Sequence, residues 1–283
     1  MFQRILSFFM CIWSCLMGWL GITRAPIRDV VYASQSPRQK LDVYLPWQKG
    51  EVDVILFIHG GGWAAGDKSL YKDTCKKYAK KGYAVAAMNY RFIDLNLPPE
   101  RQPANYADML DDIGAAIAAL RAKLIAKGYT PRKMAISGGS AGGHLTMLYA
   151  YSRGAQSAIP IAFLFPDVGP TDFADPAYLD MPNLLVLDLA PKLAGQASPD
   201  LAAMSPLHFV TSAVPPTLMR YGALDDLVPP SQGTLLKAAL DASGVRNDLL
   251  LYPNSGHGLE SKADAPLNAQ YEAKLNEYFD TYF

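Results

Sequence analysis

Ser140 lies in the stretch GGSAGGH, which follows a short apolar run and precedes a helical pattern. This arrangement predicts a strand, a sharp turn and a helix, with the serine raised at the turn. Larger side chains two residues away would collide at such a turn, which explains the glycines on both sides. A serine held in this way can act as a nucleophile. The alternative is a glycine-rich turn without chemistry.

A serine nucleophile needs a base that takes its proton and an acid that orients the base. Asp225 in GALDDLVPP is the candidate acid, and its neighbour Asp226 is the rival. His257 in NSGHGL is the candidate base, with a glycine on either side. Each stretch follows a predicted strand. The chain order Ser140, Asp225, His257 is the order of a catalytic triad carried on an α/β sheet.

A second glycine-rich stretch, HGGGW at residues 59–63, follows the buried strand predicted at residues 52–58. Successive glycines let the backbone approach a ligand closely, and they leave N–H groups free to stabilise a tetrahedral oxyanion. The helix that begins near Ala141 points free N–H groups to the same place. Trp63 is predicted to line the acyl side of a substrate pocket, and packing in the core is the alternative. A flexible turn is the alternative for the glycines.

Strand-like and helix-like segments alternate along most of the chain, which predicts an α/β fold with a mostly parallel sheet of about eight strands and helices on both faces. The first two strands are predicted to form an antiparallel hairpin. The strands are expected at residues 28–34, 39–46, 52–58, 83–90, 133–137, 160–168, 216–222 and 247–253. The helices are expected at about 68–81, 104–127, from 141 onwards, 231–243 and 265–282. Residues 171–207 interrupt this alternation, and we expect them to form a small cap insertion over the site.

The N-terminal residues 5–22 are apolar and carry no charge, with Arg4 before them and Arg24 after them. Their number is at the lower limit for a membrane span. We therefore expect residues 1–24 to be an anchor or an uncleaved signal, and residues 25–283 to be the catalytic domain. The expected location is membrane-associated or exported. A helix that docks on the domain, in a cytoplasmic protein, is the alternative.

Composition excludes several other classes. Lys and Arg number 26, as do Asp and Glu, so the formal net charge of zero gives no reason to expect nucleic acid as a partner. The three cysteines are neither a disulfide framework nor in CxxC spacing. No histidine cluster suggests a metal. We expect no cofactor, and the oligomeric state stays open.

The chain resembles the α/β-hydrolase superfamily, in the HGGG-bearing esterase and lipase branch that includes carboxylesterases, feruloyl esterases and kynurenine-formamidase-like enzymes. The stretches that carry this resemblance are HGGGWAAGDK, MNYR, GGSAGGH, GPTDF, GALDDLVP and SGHG. It implies Ser140 as nucleophile, His257 as general base and Asp225 as acid. It also implies an oxyanion hole formed by the N–H of Gly61 or Gly62 together with that of Ala141. Many members carry Asp immediately before the nucleophile, where this chain has Gly139, which favours the feruloyl-esterase and formamidase side.

The expected function is therefore a serine hydrolase that cleaves small-molecule carboxylic esters through an acyl-enzyme. An arylformamidase or another amidase is the first alternative, because amides pass through similar intermediates. A hydrolase-like binding module without activity is the second.

Overall fold

The computed structural model describes residues 23–181 and 185–283. Its centre is an eight-stranded sheet in the order β1-β2-β4-β3-β5-β6-β7-β8. The strands are β1 Ile27–Val31, β2 Lys40–Tyr44, β3 Gly50–Ile58, β4 Ala84–Met88, β5 Tyr129–Gly138, β6 Ile161–Leu164, β7 Thr217–Gly222 and β8 Asn247–Tyr252. β2 is antiparallel to β1 and β4, and the other pairs are parallel. The predicted α/β fold and antiparallel start are confirmed.

Helices cover both faces of the sheet, because successive side chains of a buried strand point to opposite sides. The helices are α1 Lys72–Lys80, α2 Tyr106–Ala126, α3 Ala141–Arg153, α4 Leu185–Ala194, α5 Leu201–Met204, α6 Ser231–Ala242 and α7 Ala265–Tyr282. On one face, Leu56 of β3 shares an apolar cluster with residues of α2, α3 and α6. On the other, Phe57 shares a cluster with residues of α1 and α7.

Some predicted boundaries were wrong by a few residues. β6 ends at Leu164 instead of residue 168, and Pro166 follows, which has no N–H to donate to a ladder. β5 begins at Tyr129 instead of residue 133, although its first part contains Pro131. β3 likewise begins before its apolar run, because Gly50 pairs with Tyr129 of β5. Ladders therefore extend beyond the apolar pattern where a neighbouring strand offers partners.

The segment at 171–207, between β6 and β7, contains the short helical turn Pro176–Asp180, the helices α4 and α5, and the start of the helical turn Pro206–Phe209. Leu189 of α4 lies beside the glycine loop, where its Cδ1 is 3.6 Å from the position of a Cβ added to Gly62. The side chain of Lys192 donates to the carbonyl of Leu95. The segment thus packs against the HGGG side of the molecule, and its role as a cap stays a prediction.

The apolar N-terminal residues 5–22 lie outside the described residues, so their predicted role as an anchor stays a prediction. Within the described ranges, no helix has both the length and the apolar character needed to cross a membrane. The described chain starts at the opposite end of the sheet from the carboxyl ends of β3 and β4. There Thr23 pairs with Pro46, and the Arg24 side chain donates to the hydroxyl of Tyr129.

Candidate active site

The predicted nucleophile, Ser140, stands between β5 and α3 in a conformation that non-glycine residues rarely adopt, with φ 55° and ψ −123°. Its N–H donates to the carbonyl of Asp167 at 2.9 Å, and its carbonyl accepts from the N–H of His144 at 2.9 Å. Such a backbone persists only where neighbouring structure holds it, and it is often found at functional sites. The turn therefore projects the serine from the end of the sheet.

The glycines around Ser140 are required by close backbone approach. A Cβ on Gly142 would lie 2.1 Å from the carbonyl oxygen of Ile58, and one on Gly138 would lie 2.5 Å from the same oxygen. Both contacts are far inside van der Waals distance. At Gly139, in contrast, the nearest atom to an added Cβ is the hydroxyl oxygen of Tyr71 at 3.8 Å. The turn thus packs directly on the end of β3 through its outer glycines.

The predicted acid and base are paired. Nδ1 of His257 lies 2.7 Å from Oδ2 of Asp225. The other carboxylate oxygen, Oδ1, accepts from the N–H groups of Leu227 and Val228, each at 2.9 Å. The Asp225 side chain is fully buried, whereas His257 is 22% exposed. Asp226, the rival acid, is exposed to solvent. The acid is therefore fixed by the backbone, and one end of the imidazole stays accessible.

Ser140 and His257 line one cavity of about 490 Å³. Gly60, Gly61 and Gly66 of the first glycine-rich loop line the same cavity. The loops that carry these groups follow β3, β5 and β8, whose carboxyl ends form one edge of the sheet. Ligands bind at that edge in open α/β sheets. The structure therefore brings the predicted nucleophile, base and glycine loop together.

The glycine loop turns back sharply, since Gly61 has φ 115° and Gly62 has φ 58°. The carbonyl of Gly61 accepts from the N–H groups of Ala64 and Ala65. Among the residues that the structure describes, no acceptor takes the N–H of Gly61, Gly62 or Ala141. These N–H groups are therefore available to donate to an oxyanion, and their role in an oxyanion hole stays a prediction.

His59 holds the loop from below. Its Nδ1 lies 2.8 Å from the carbonyl oxygen of Gly60, and its ring stacks on Tyr90 at a centroid distance of 4.6 Å. The Tyr90 hydroxyl donates to the carbonyl of His59. Burial lowers the pKa of His59, so the ring stays neutral near pH 7. These contacts give His59 a structural role beneath the glycine loop.

Trp63 is 2% exposed and belongs to the core. Its Nε1–H donates to Nδ1 of His144 at 3.1 Å, and Nε2 of His144 lies 2.7 Å from the carbonyl oxygen of Met204. Burial lowers the pKa of His144 to about 4. The position of Trp63 agrees with the core-packing alternative, and contact with an acyl chain stays a prediction. The side chain of His208, in contrast, is 47% exposed.

Two charged residues line the cavity without having been predicted, Asp167 after β6 and Arg220 on β7. They form an ion pair in which Nε of Arg220 lies 2.6 Å from Oδ1 of Asp167. No short motif marks them, because the two positions are 53 residues apart in sequence. The one available signal is that each falls at the end of a predicted parallel strand.

The strand order, the serine turn and the histidine–aspartate pair define an α/β-hydrolase. Similarity to known proteins supports this assignment. Residues 41–240 match the BD-FAE family, and the chain belongs to this family, in the esterase branch of the superfamily.

Curated relatives carry ester-hydrolase names. A probable carboxylic ester hydrolase, LipM of Mycobacterium tuberculosis, is 27% identical over 225 residues, which cover 72% of this chain and 49% of the relative. A probable isoprenylcysteine alpha-carbonyl methylesterase of Oryza sativa subsp. japonica is 27% identical over 252 residues, covering 81% of this chain and 56% of the relative. The chain therefore spans about half the length of these curated relatives.

Solved structures share the fold. Esterase B from Lactobacillus rhamnosis superposes with a TM-score of 0.74 at 20% identity, covering 99% of this chain and 96% of that structure. A truncated carbohydrate esterase from gut microbiota gives a TM-score of 0.70 at 24% identity, covering 89% and 96%. At these identities the likeness establishes the α/β-hydrolase fold alone.

Proposed function

We propose that the protein is a serine hydrolase that cleaves carboxylic esters of small molecules. The observation that carries this proposal is that one cavity is lined by a strained, half-buried Ser140 and by His257, whose imidazole is paired with a buried Asp225. The family and the ester-hydrolase names of the relatives support the same class of reaction.

In the proposed reaction, Nε2 of His257 takes the proton of the Ser140 hydroxyl as its oxygen attacks the ester carbonyl carbon. Nδ1–H of His257 donates to Asp225, which fixes the tautomer and stabilises the imidazolium. The tetrahedral oxyanion accepts from the N–H of Gly61 or Gly62 and from that of Ala141. His257 returns the proton to the departing alcohol oxygen. Water, activated by the same base, then hydrolyses the acyl-enzyme.

Amide chemistry is the second candidate, as in an arylformamidase, because the same groups can attack a formamide carbonyl. A binding module without catalysis is the third. The specific observation against the third is that none of the groups needed for acyl transfer is missing from the described residues. Membrane attachment through residues 5–22 is a further proposal, and deletion of that segment tests it by the fraction of the protein recovered with membranes.

The test uses the full chain as wild type and as Ser140→Ala, with p-nitrophenyl esters from acetyl to dodecanoyl and with N-formyl arylamines. We expect ester hydrolysis that falls by about 10⁴-fold or more in Ser140→Ala, since little chemistry remains without the nucleophile. Preferential cleavage of the formamides would favour the second candidate. Folded wild type that cleaves neither substrate class would refute the enzymatic proposal.

A further inference from the structure

The Asp167–Arg220 ion pair forms part of the wall of the cavity that Ser140 and His257 line. Nε and Nη2 of Arg220 donate to the two carboxylate oxygens of Asp167 at 2.6 and 2.7 Å. This two-point geometry is the strongest form of an arginine–carboxylate pair. The side chains stay 25% and 22% exposed, and both line the cavity that Ser140 and His257 line. A substrate in this cavity therefore meets the pair.

The pair is fixed relative to the nucleophile. The carbonyl of Asp167 accepts the N–H of Ser140, and the N–H of Val168 donates to the carbonyl of Arg220 at 3.0 Å. The guanidinium carbon lies 3.9 Å from the ring centroid of Tyr271, which is itself buried. Aromatic stacking and two-point pairing leave the guanidinium little freedom to reorient. The charges thus have a defined place next to the reacting serine.

The pair also determines the charge of the cavity. Among the described residues that line it, Asp167, Arg220 and His257 are the ionisable ones. Burial would lower the pKa of Arg220, but the charge of Asp167 outweighs it and raises that pKa. The Arg220 guanidinium is therefore charged near neutral pH, and the ion pair that it forms with Asp167 has no net charge. Loss of either member would leave an uncompensated charge in a partly desolvated place.

We propose that the Asp167–Arg220 pair sets the charge selectivity of the site, so that the protein prefers uncharged esters and discriminates against substrates with a charge near the scissile bond. This inference rests on the proposed function. It assigns to the pair a role in specificity, separate from its role in holding the serine turn. A charged substrate must compete with the existing partner, whereas a neutral one keeps the pair intact.

The test measures kcat/KM for two matched series, because the pair can face either side of the ester. One series varies the acyl part with p-nitrophenyl valerate, p-nitrophenyl hemiglutarate and the p-nitrophenyl ester of trimethylammoniobutyrate. The other varies the alcohol part with acetylcholine, its uncharged carbon isostere and an acetate ester that ends in a carboxylate. Each result is expressed as a ratio of charged to uncharged substrate within one variant. Such ratios do not depend on the fraction of folded enzyme.

In at least one series, Arg220→Met should raise the cation ratio and Asp167→Asn should raise the anion ratio, each by about tenfold, the effect of one uncompensated charge at a partly exposed site. Wild type should favour the uncharged member of that series. Opposite shifts in the two variants are not expected from damage to the fold. The near-isosteric Asp167→Asn decides the question if Arg220→Met does not fold.

The exposed pair Arg153–Asp111, on α3 and α2, supplies matched controls. Arg153→Met and Asp111→Asn remove the same charges away from the cavity and should leave all ratios unchanged. An active wild type whose ratios stay constant in both cavity variants, in both series, overturns this inference alone. A wild type that favours a charged member overturns it as well. A wild type inactive on every ester overturns the proposed function and this inference with it.

Discussion

Asp225 and His257 form a hydrogen-bonded pair, 2.7 Å between Oδ2 and Nδ1, in which the carboxylate is fully buried and the imidazole reaches the cavity. Two backbone N–H groups hold the other carboxylate oxygen. The carboxylate therefore cannot turn away from the imidazole without losing these bonds. This arrangement fixes the orientation of the imidazole that we propose as the base, and it distinguishes Asp225 from its exposed neighbour Asp226.

Asp225→Asn should lower kcat for ester hydrolysis by about 10³- to 10⁴-fold, because the amide no longer selects the tautomer with the proton on Nδ1. KM should change little. Asp226→Asn is the matched control, one residue away and exposed, and it should keep kcat within about twofold of wild type. Steady-state kinetics on one p-nitrophenyl ester decide between the two. Equal losses in both variants would contradict the assignment of Asp225.

Gly142→Ala should destabilise the protein by about 3 kcal/mol and abolish hydrolysis, because the added Cβ would meet the carbonyl of Ile58 at 2.1 Å. Gly139→Ala is the control in the same turn, since its Cβ would have 3.8 Å to the nearest atom. It should fold like wild type. Urea unfolding and kcat are the measurements. A stable and active Gly142→Ala would show that the serine turn does not need this close packing.

His144→Leu should lower the free energy of unfolding by about 3 kcal/mol at neutral pH. The substitution leaves two buried groups, Nε1–H of Trp63 and the carbonyl of Met204, without their partner. His208→Leu, at a half-exposed histidine, should change it by less than about 1 kcal/mol. Urea titrations of both variants provide the comparison. Similar small effects in both would mean that the hydrogen bonds of His144 with Trp63 and Met204 contribute little to stability.

We also predict that the loss of unfolding free energy caused by His144→Leu depends on pH. The folded-state pKa of His144 is lowered to about 4, whereas the unfolded chain takes up the proton near pH 6.5. The unfolded state therefore binds more protons between these values, and the stability that neutral His144 contributes is lost as pH falls through this window.

The difference in unfolding free energy between wild type and His144→Leu should thus shrink by about 2–3 kcal/mol from about pH 7 to about pH 4.5. His59, whose pKa burial also lowers, is present in both proteins and cancels in the subtraction. A difference that is the same at both pH values would contradict the assignment of a neutral, buried His144.

The sequence predicts those parts of the site whose structure depends on one short segment. The turn around Ser140 needs small residues, and buried parallel strands such as β3 appear as continuous apolar runs, so both can be recognised within a single segment. The Asp167–Arg220 pair and the Trp63–His144 bond join residues 53 and 81 positions apart. Their side chains meet only through the strand order and the packing of α3. No local pattern records such contacts.

The helices within the segment at 171–207 could not be predicted from the sequence. Its composition predicts an interruption between two strands, but α4 contains Pro191, which helix propensity disfavours. The helix forms because buried residues such as Leu193 pack into the main apolar cluster, a tertiary effect that outweighs local preference.

Ser140 is proposed to be an activated nucleophile, and covalent labelling with a fluorophosphonate tests this proposal most directly. The full chain, folded and near neutral pH, is treated with the probe, and the adduct is located by mass spectrometry of the digested protein. We predict one adduct per chain, on Ser140, with labelling lost in Ser140→Ala and strongly slowed in His257→Ala. An adduct on another residue, or an active wild type that stays unlabelled, would contradict the account.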